Sequence, residues 1–259
     1  LKLKIALFGY GKMGKMIEQI ARDRGHDIVA KIDVDSGDID YSDMDVAIDF
    51  SMPDAAFENI TGCIENGVPV ISGTTGWLER YDEAMALCET KKGAFIYASN
   101  FSLGVNVFFE LNRHLARMMQ NLNQYRVSME EIHHTQKLDA PSGTAITLAE
   151  GIIENSDYMG WKLEDAVKLK NGKPLNDART SKETGASEAG KTKEIPIASK
   201  RIGDTPGTHT VDYKSQVDTL EIKHTAHNRK GFALGAVIAA EWIQGKTGVF
   251  KMKDVLNLG

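Results

Sequence analysis

The densest run of chemically able side chains lies between Glu130 and Thr144: Glu130, Glu131, His133, His134, Lys137 and Asp139, then Pro141-Ser142-Gly143-Thr144. An imidazole exchanges its proton near neutral pH and suits general acid work. Lys137 adds a full positive charge. Ser142 is a natural N-cap for the helical pattern of Ala145, Leu148, Ala149 and Ile152. The backbone N–H groups of Gly143 and Thr144 would then point outward as a ready carboxylate site. Two adjacent histidines are also compatible with a metal. Zinc wants a third or fourth ligand, however, and none stands at a plausible spacing, so no metal is expected. A capped helix by itself is usually structural. The combination with a second motif favours function.

That second motif is Gly9-Tyr10-Gly11-Lys12-Met13-Gly14. It follows the apolar run Leu3 to Phe8 and precedes Met16, Ile17, Ile20 and Ala21 at helical spacing. Asp33 stands at the end of the next strand-like run, Asp27 to Ile32. A lone G-x-G-x-x-G is weak evidence; between a strand and a helix, with an acid after the following strand, it is a dinucleotide fingerprint. Gly9 allows the tight turn, Gly11 lets a pyrophosphate approach the backbone, and Gly14 lets the helix pack closely. Asp33 can accept hydrogen bonds from ribose hydroxyls.

The elements that must carry these residues alternate regularly at first. Strands are expected at Val46 to Phe50, Val68 to Ser72 (Pro69 suiting its beginning) and Ala94 to Ala98. Helices are expected from Pro53 to Asn66 and over about Leu78 to Lys92. This rhythm predicts a Rossmann-type, doubly wound parallel sheet. Ligands of such sheets lie beyond the carboxyl ends of the strands, which puts Gly73, Thr74, Thr75, Ser99, Asn100 and Phe101 beside the cofactor. A helix from Val105 to about Asn121 follows, and Tyr125 to Ile132 alternates as a strand. Residues 154–192 give no firm helix or strand and no site is placed there. Ile195 to Ser199, Thr208 to Tyr213 and Thr219 to Thr225 read as short strands. They predict a smaller α+β domain with a mostly antiparallel sheet. Phe232 to Trp242 reads as a helix that returns to the first domain.

The formal net charge of −5 disfavours nucleic acid, and any anion site must be built locally. No apolar stretch approaches a membrane span. The start at Leu1 to Ile5 shows no signal-peptide pattern, and the only cysteines, Cys63 and Cys88, form no CxxC pair. A cytoplasmic enzyme is the expectation.

E-x-H-H-x-x-K-x-D-A-P-S-G-T-A, read here from Glu131 to Ala145, resembles the signature of the dihydrodipicolinate reductase family. Gly9 to Gly14, Asp49-Phe50-Ser51, Gly73 to Gly76, Asn100 to Asn106, Gly207-Thr208-His209, His224 to Phe232 and Gly248 to Leu256 match in order, so the resemblance spans nearly the whole chain. It implies reduction of a cyclic dicarboxylate, 4-hydroxy-tetrahydrodipicolinate, by NADH or NADPH, with loss of water, in diaminopimelate and lysine biosynthesis. It implies His133 as general acid, Lys137 as a donor to substrate, His134, Gly143 and Thr144 as substrate-binding residues, and Ser142 as the residue shaping that loop. Tyr10, Lys12, Met13, Arg229 and Phe232 join the glycines and loops named above as cofactor-binding residues; for Arg229 a surface salt bridge is equally open. It further implies a nucleotide domain of 1–104 and 229–259, a substrate and oligomerisation domain of 105–228, hinges near Ser102–Val105 and Ala226–Gly231, and a homotetramer.

Two departures stand out. Many relatives place an arginine after the acid where this chain has Val34, so Asp33 favours NADH, with Lys12 able to admit NADPH. Pro196 stands where relatives often have glycine, in a stretch expected to be remote from the motif. Among competing readings, a semialdehyde dehydrogenase needs a nucleophilic cysteine. Cys63 and Cys88 fall in nucleotide-domain helices instead. A non-catalytic nicotinamide sensor would not need the His-His-Lys set.

Overall fold

The computed structural model describes residues 1–33, 36–170, 173–174 and 193–258. Val34 lies outside them, as does most of the stretch 171–192. The chain forms two compact units, residues 1–106 with 229–259, and residues 107–228.

The first unit is built on six parallel strands in the order β12-β5-β4-β3-β1-β2. These are β1 (Lys4–Phe8), β2 (Asp27–Ile32), β3 (Val46–Asp49), β4 (Val70–Ser72), β5 (Ala94–Tyr97) and β12 (Gly248–Phe250). Helices α1 (Lys12–Asp23), α2 (Pro53–Glu65), α3 (Tyr81–Lys91), α6 (Lys230–Trp242) and α7 (Met252–Val255) complete it. Side chains of a strand alternate between faces, and here both faces are covered. Ile5, Leu7, Val46, Ile48, Ile71 and Ile96 pack with residues of α1 and α6, among them Ile17, Ala21, Ala236 and Ala240. Ala6, Phe8, Ala47, Val70 and Phe95 pack with residues of α2 and α3, among them Ile60, Cys63, Ala84 and Cys88. Each large aliphatic side chain so buried stabilises the fold by about 1.5–3 kcal/mol. That two-sided burial is why the strands read as apolar runs rather than alternating ones. β4 starts directly after Pro69, whose carbonyl still accepts the Ala47 N–H.

The second unit takes most of α4 (Leu103–Met119), all of α5 (Gly143–Ile153), and a six-stranded sheet ordered β11-β10-β6-β9-β7-β8. Its strands are β6 (Arg126–His133), β7 (Gly160–Lys170), β8 (Lys173–Pro174), β9 (Glu194–Arg201), β10 (Gly207–Lys214) and β11 (Thr219–Ala226). The sheet is mixed: β10 pairs antiparallel with β6 and β11, β7 pairs antiparallel with β8, and β9 runs parallel to both β6 and β7. The stretch 154–192, in which the sequence offered no firm helix or strand, holds β7 in its described part. Trp161 and Leu163 alternate with exposed Lys162 and Glu164, but a register shift between Glu164 and Val167 breaks the period. Pro196 sits just before the β6–β9 ladder opens at Ile197, so its missing N–H falls where β6 does not yet pair.

Candidate active site

On β6 the residues Val127, Met129, Glu131 and His133 form the buried face, as period two requires. Glu131 and His133 therefore point the same way, while His134 stands in the opposite phase and is half-buried. The ladders bring the neighbours. His209 on β10 is the register partner of Glu131, Ser199 on β9 is its partner on the other side, and Arg201 stands opposite His133. All four are buried with Glu131.

Glu131 is the hub of this cluster and is fully buried. Its Oε1 accepts from the Ser199 hydroxyl at 2.8 Å and from Arg201 Nη2 at 3.1 Å. The Ser142 backbone N–H donates to both carboxylate oxygens, at 3.1 and 3.0 Å. Nδ1 of His133 lies 3.5 Å and Nε2 of His209 lies 3.6 Å from Oε2. Burial alone would push the Glu131 carboxyl up; the donors from His209, Ser142 and Ser199 and the neighbouring His133 outweigh it and hold the carboxyl well below the usual range. His133 moves the other way from a free imidazole: burial pulls it down to about 4, with Glu131 opposing and His209, Lys137 and Arg201 reinforcing. It is thus neutral at pH 7 in this state.

Ser142 ties the start of α5 to the same cluster. Its Oγ accepts from the Ala145 N–H at 3.3 Å, as an N-cap does, and pairs with His209 Nε2 at 3.0 Å. Gly143 is exposed and Thr144 half-buried at the helix start. Lys137 donates to Asp139 Oδ1 at 2.8 Å. Arg201 fixes the backbone of that loop: its Nε donates to the Lys137 carbonyl at 3.3 Å and its Nη2 to the Asp139 carbonyl. The stretch containing Pro196 is therefore not remote from the motif, because the same strand ends in Ser199 and Arg201.

Among the described residues the adjacent pair His133 and His134 gains no third donor, but His133 joins a different group of possible ligands. Donor atoms of Glu131, His133 and His209 all lie within 4.8 Å of one another, close enough to share an ion. The Arg201 guanidinium already pairs with that carboxylate at 3.1 Å. Glu131, Ser199, Arg201 and His209 escaped the sequence reading as site residues. Strand alternation alone pairs Glu131 with His133; the other three depend on strand order, which the sequence does not display.

At the carboxyl ends of the first unit's strands, Gly9 has φ +87°, and an added Cβ would lie 2.3 Å from the Phe50 carbonyl oxygen. A Cβ on Gly14 would lie 2.3 Å from the Gly9 oxygen. Around Gly11, by contrast, a Cβ would meet nothing within 4 Å, and no side chain caps α1. This open, uncapped start of a helix fits a phosphate approaching the backbone. Tyr10 is half-buried and donates to Glu18, which also receives Lys31 at 2.8 Å; Lys12 is exposed and Met13 half-buried. Asp33 is exposed at the end of β2, and Thr75 and Ser99 are exposed in their loops. Asn100 Oδ1 accepts from the Ser102 N–H. Arg229 and Phe232 stand at the start of α6.

Two expected cofactor contacts turn their side chains inward. The Thr74 hydroxyl donates to buried Asp49 at 2.7 Å while accepting from the Ser51 N–H at 2.9 Å. The Phe101 ring is buried in the core, 5.8 Å from that of Phe50. Only the backbone at 74 and 101 is left for a ligand. Gly73 serves the same packing, since a Cβ there would strike the Phe50 ring at 2.3 Å. Cys63 and Cys88 are buried free thiols, and burial pushes both up, which removes them as nucleophiles.

Among the described residues no helix is long and apolar enough to cross a membrane. The family models described as dihydrodipicolinate reductase, N-terminus and C-terminus, match residues 3–101 and 104–256. The 4-hydroxy-tetrahydrodipicolinate reductase of Christiangramia forsetii is 54% identical over 258 residues, 98% of both chains. That of Neisseria gonorrhoeae is 33% identical over 284 residues, 100% of this chain and 98% of the other. A solved dipicolinate-bound dihydrodipicolinate reductase from Paenisporosarcina sp. TG-14 shares the fold, with a TM-score of 0.73 at 24% identity over 97% of this chain and 98% of that one. With both halves matched in order and a relative identical at more than half its positions, the chain belongs to the dihydrodipicolinate reductase family of oxidoreductases.

Proposed function

We propose that the chain reduces 4-hydroxy-tetrahydrodipicolinate to tetrahydrodipicolinate, with loss of water, in diaminopimelate and lysine biosynthesis. The observation that carries this reading is the buried His133 beside the ionised Glu131, next to the capped start of α5. NADH or NADPH, when bound, supplies a hydride, which adds to C4 of the conjugated imine left when the 4-hydroxyl departs as water.

The first unit holds the cofactor, through Gly9 to Gly14, Asp33, the loops at 73–75 and 99–101, and Arg229 with Phe232 at the start of α6. The second unit holds the substrate and mediates assembly into a homotetramer. His133 supplies the proton that the reduced ring requires. Its low affinity for that proton in the free site suits the role once a dianionic substrate arrives, because added negative charge raises an imidazole's pKa. Lys137 exchanges Asp139 for a substrate carboxylate; the pair it gives up is partly exposed, so the exchange costs little. The N–H groups of Gly143 and Thr144, with His134, bind the acid groups, and Ser142 sets the loop. Asp33 favours the free ribose of NADH and repels a 2′-phosphate. The cell compartment that fits these roles is the cytoplasm.

The test is loss of NADH absorbance when purified protein meets the product of dihydrodipicolinate synthase, against aspartate semialdehyde, and gain of NADH absorbance when it meets homoserine with NAD+. Turnover only with the first supports the reading. Turnover only with either control replaces it by a different dehydrogenase.

A further inference from the structure

We infer that Glu131 is a positioning residue that holds His133 with its proton on Nδ1, leaving Nε2 as the atom that exchanges a proton with substrate. The inference rests on the reading of His133 as the acid, but it stands on separate geometry. His133 Nδ1 is shut off from solvent and has no hydrogen-bond partner within ordinary distance. Glu131 Oε2 lies 3.5 Å from it. A lone pair on Nδ1 would face an anionic oxygen and be repelled; an N–H would be attracted. A carboxylate at one imidazole nitrogen thus decides which nitrogen carries the fixed proton. Nε2 is the nitrogen beside Gly207, where an added Cβ would come within 3.2 Å of it.

Glu131 can act this way only while ionised, and Arg201 secures that state from β9. The charged and titratable groups facing His133 are Glu131 on its own strand, His209 from β10, Arg201 from β9 and Lys137 from the following loop. Only Glu131 among them is an anion. Arg201 has a second duty, since it also donates to the carbonyls of Lys137 and Asp139. One guanidinium therefore links the tautomer of His133 to the placement of Lys137.

The experiment is a nitrogen-15 long-range correlation spectrum of the labelled full-length protein near neutral pH. The seven imidazoles are few enough to resolve, and His133 is assigned by its loss in His133→Gln. The expected result is the Nδ1–H tautomer. Glu131→Gln should shift it toward Nε2–H and lower kcat by about 10²–10⁴-fold. The limb on which turnover falls as pH rises should move to lower pH. Glu131→Asp should regain part of both turnover and tautomer. An Nε2–H tautomer in the unaltered protein overturns the inference, as does a Glu131→Gln protein with unchanged tautomer and pH profile. If Glu131→Gln does not fold, the unaltered protein and Glu131→Asp still decide. The tautomer is read without turnover, so full activity in His133→Ala would remove the acid assignment, and with it the role of Nε2, while the effect of Glu131 on the tautomer would stand.

Discussion

His209 faces Glu131 directly across the β6–β10 ladder, and its Nε2 meets the Ser142 hydroxyl that caps α5 at 3.0 Å. One buried carboxylate thereby connects a strand pair, a helix start and the imidazole of His133. The expected behaviour of the site follows from that connection.

His133→Ala should lower kcat by about 10²–10⁴-fold with little change in KM, the usual scale for a general acid. Lys137→Ala should damage both, because it removes a charge-assisted contact. Steady-state kinetics separate the two variants; a change in KM alone at Lys137 would reduce its role to holding the substrate.

Acid should destabilise the second unit in two stages. His133 binds its proton only near pH 4 when folded but near 6.5 when unfolded. Between those values the unfolded chain takes up the proton first, so stability falls as pH drops from 6.5 to 4, by about 3 kcal/mol at the limit. Glu131, held below its unfolded value, adds a further loss only as pH falls through and below about 4.5. Urea unfolding across pH checks this: His133→Gln should shrink the upper stage, leaving the part due to His224, which burial also pulls down, and should keep most of the lower one.

Arg201→Met should cost about 3–5 kcal/mol, because it leaves the Glu131 charge buried and uncompensated. The double variant with Glu131→Gln should recover part of that loss. A double-mutant cycle by chemical denaturation measures the coupling; additive effects would mean the pair is energetically independent.

Gly9→Ala and Gly11→Val should fail in different ways. The first places a Cβ on the Phe50 carbonyl at a left-handed φ and should lower stability by about 1–3 kcal/mol. The second meets no protein atom within 4 Å of its Cβ. It should leave thermal stability nearly unchanged while weakening NADH binding at least tenfold. Calorimetric titration with a thermal melt distinguishes the two effects.

NADH should exceed NADPH in kcat/KM, and Asp33→Ser should narrow the gap by relieving repulsion of a 2′-phosphate. A strong preference for NADPH in the unaltered protein would contradict the role given to Asp33.

The first unit was legible in the sequence because its information is local. Strand ends, the glycine loop and the placement of Pro69 each depend on near neighbours. The run from Tyr125 to Ile132 also announced a strand, and its alternation already put Glu131 and His133 on one side. What stayed hidden was pairing. Ser199, Arg201 and His209 reach Glu131 only through the order β10-β6-β9, and no local pattern encodes which strands become neighbours. The strand β7 was missed because its ladder to β9 is interrupted by a register shift between Glu164 and Val167, which local alternation does not signal. The inward turn of Thr74 was hidden for a similar reason: its partner, Asp49, comes from the neighbouring strand β3.

The first unit is assembled from two separated stretches of chain, and this bears on how it is made. During synthesis from the amino terminus, β1 to β5 emerge long before residues 229–259 supply α6, β12 and α7. Until then the side of the sheet carrying Ile5, Leu7, Val46 and Ile48 lacks the alanine-rich cover of Ala233 to Ala240. The intervening unit leaves the ribosome whole and can fold first, while the sheet that began earlier finishes last. A nascent chain stalled ahead of Arg229 would therefore leave the part of that face not covered by α1 as exposed apolar surface, the kind that chaperones bind.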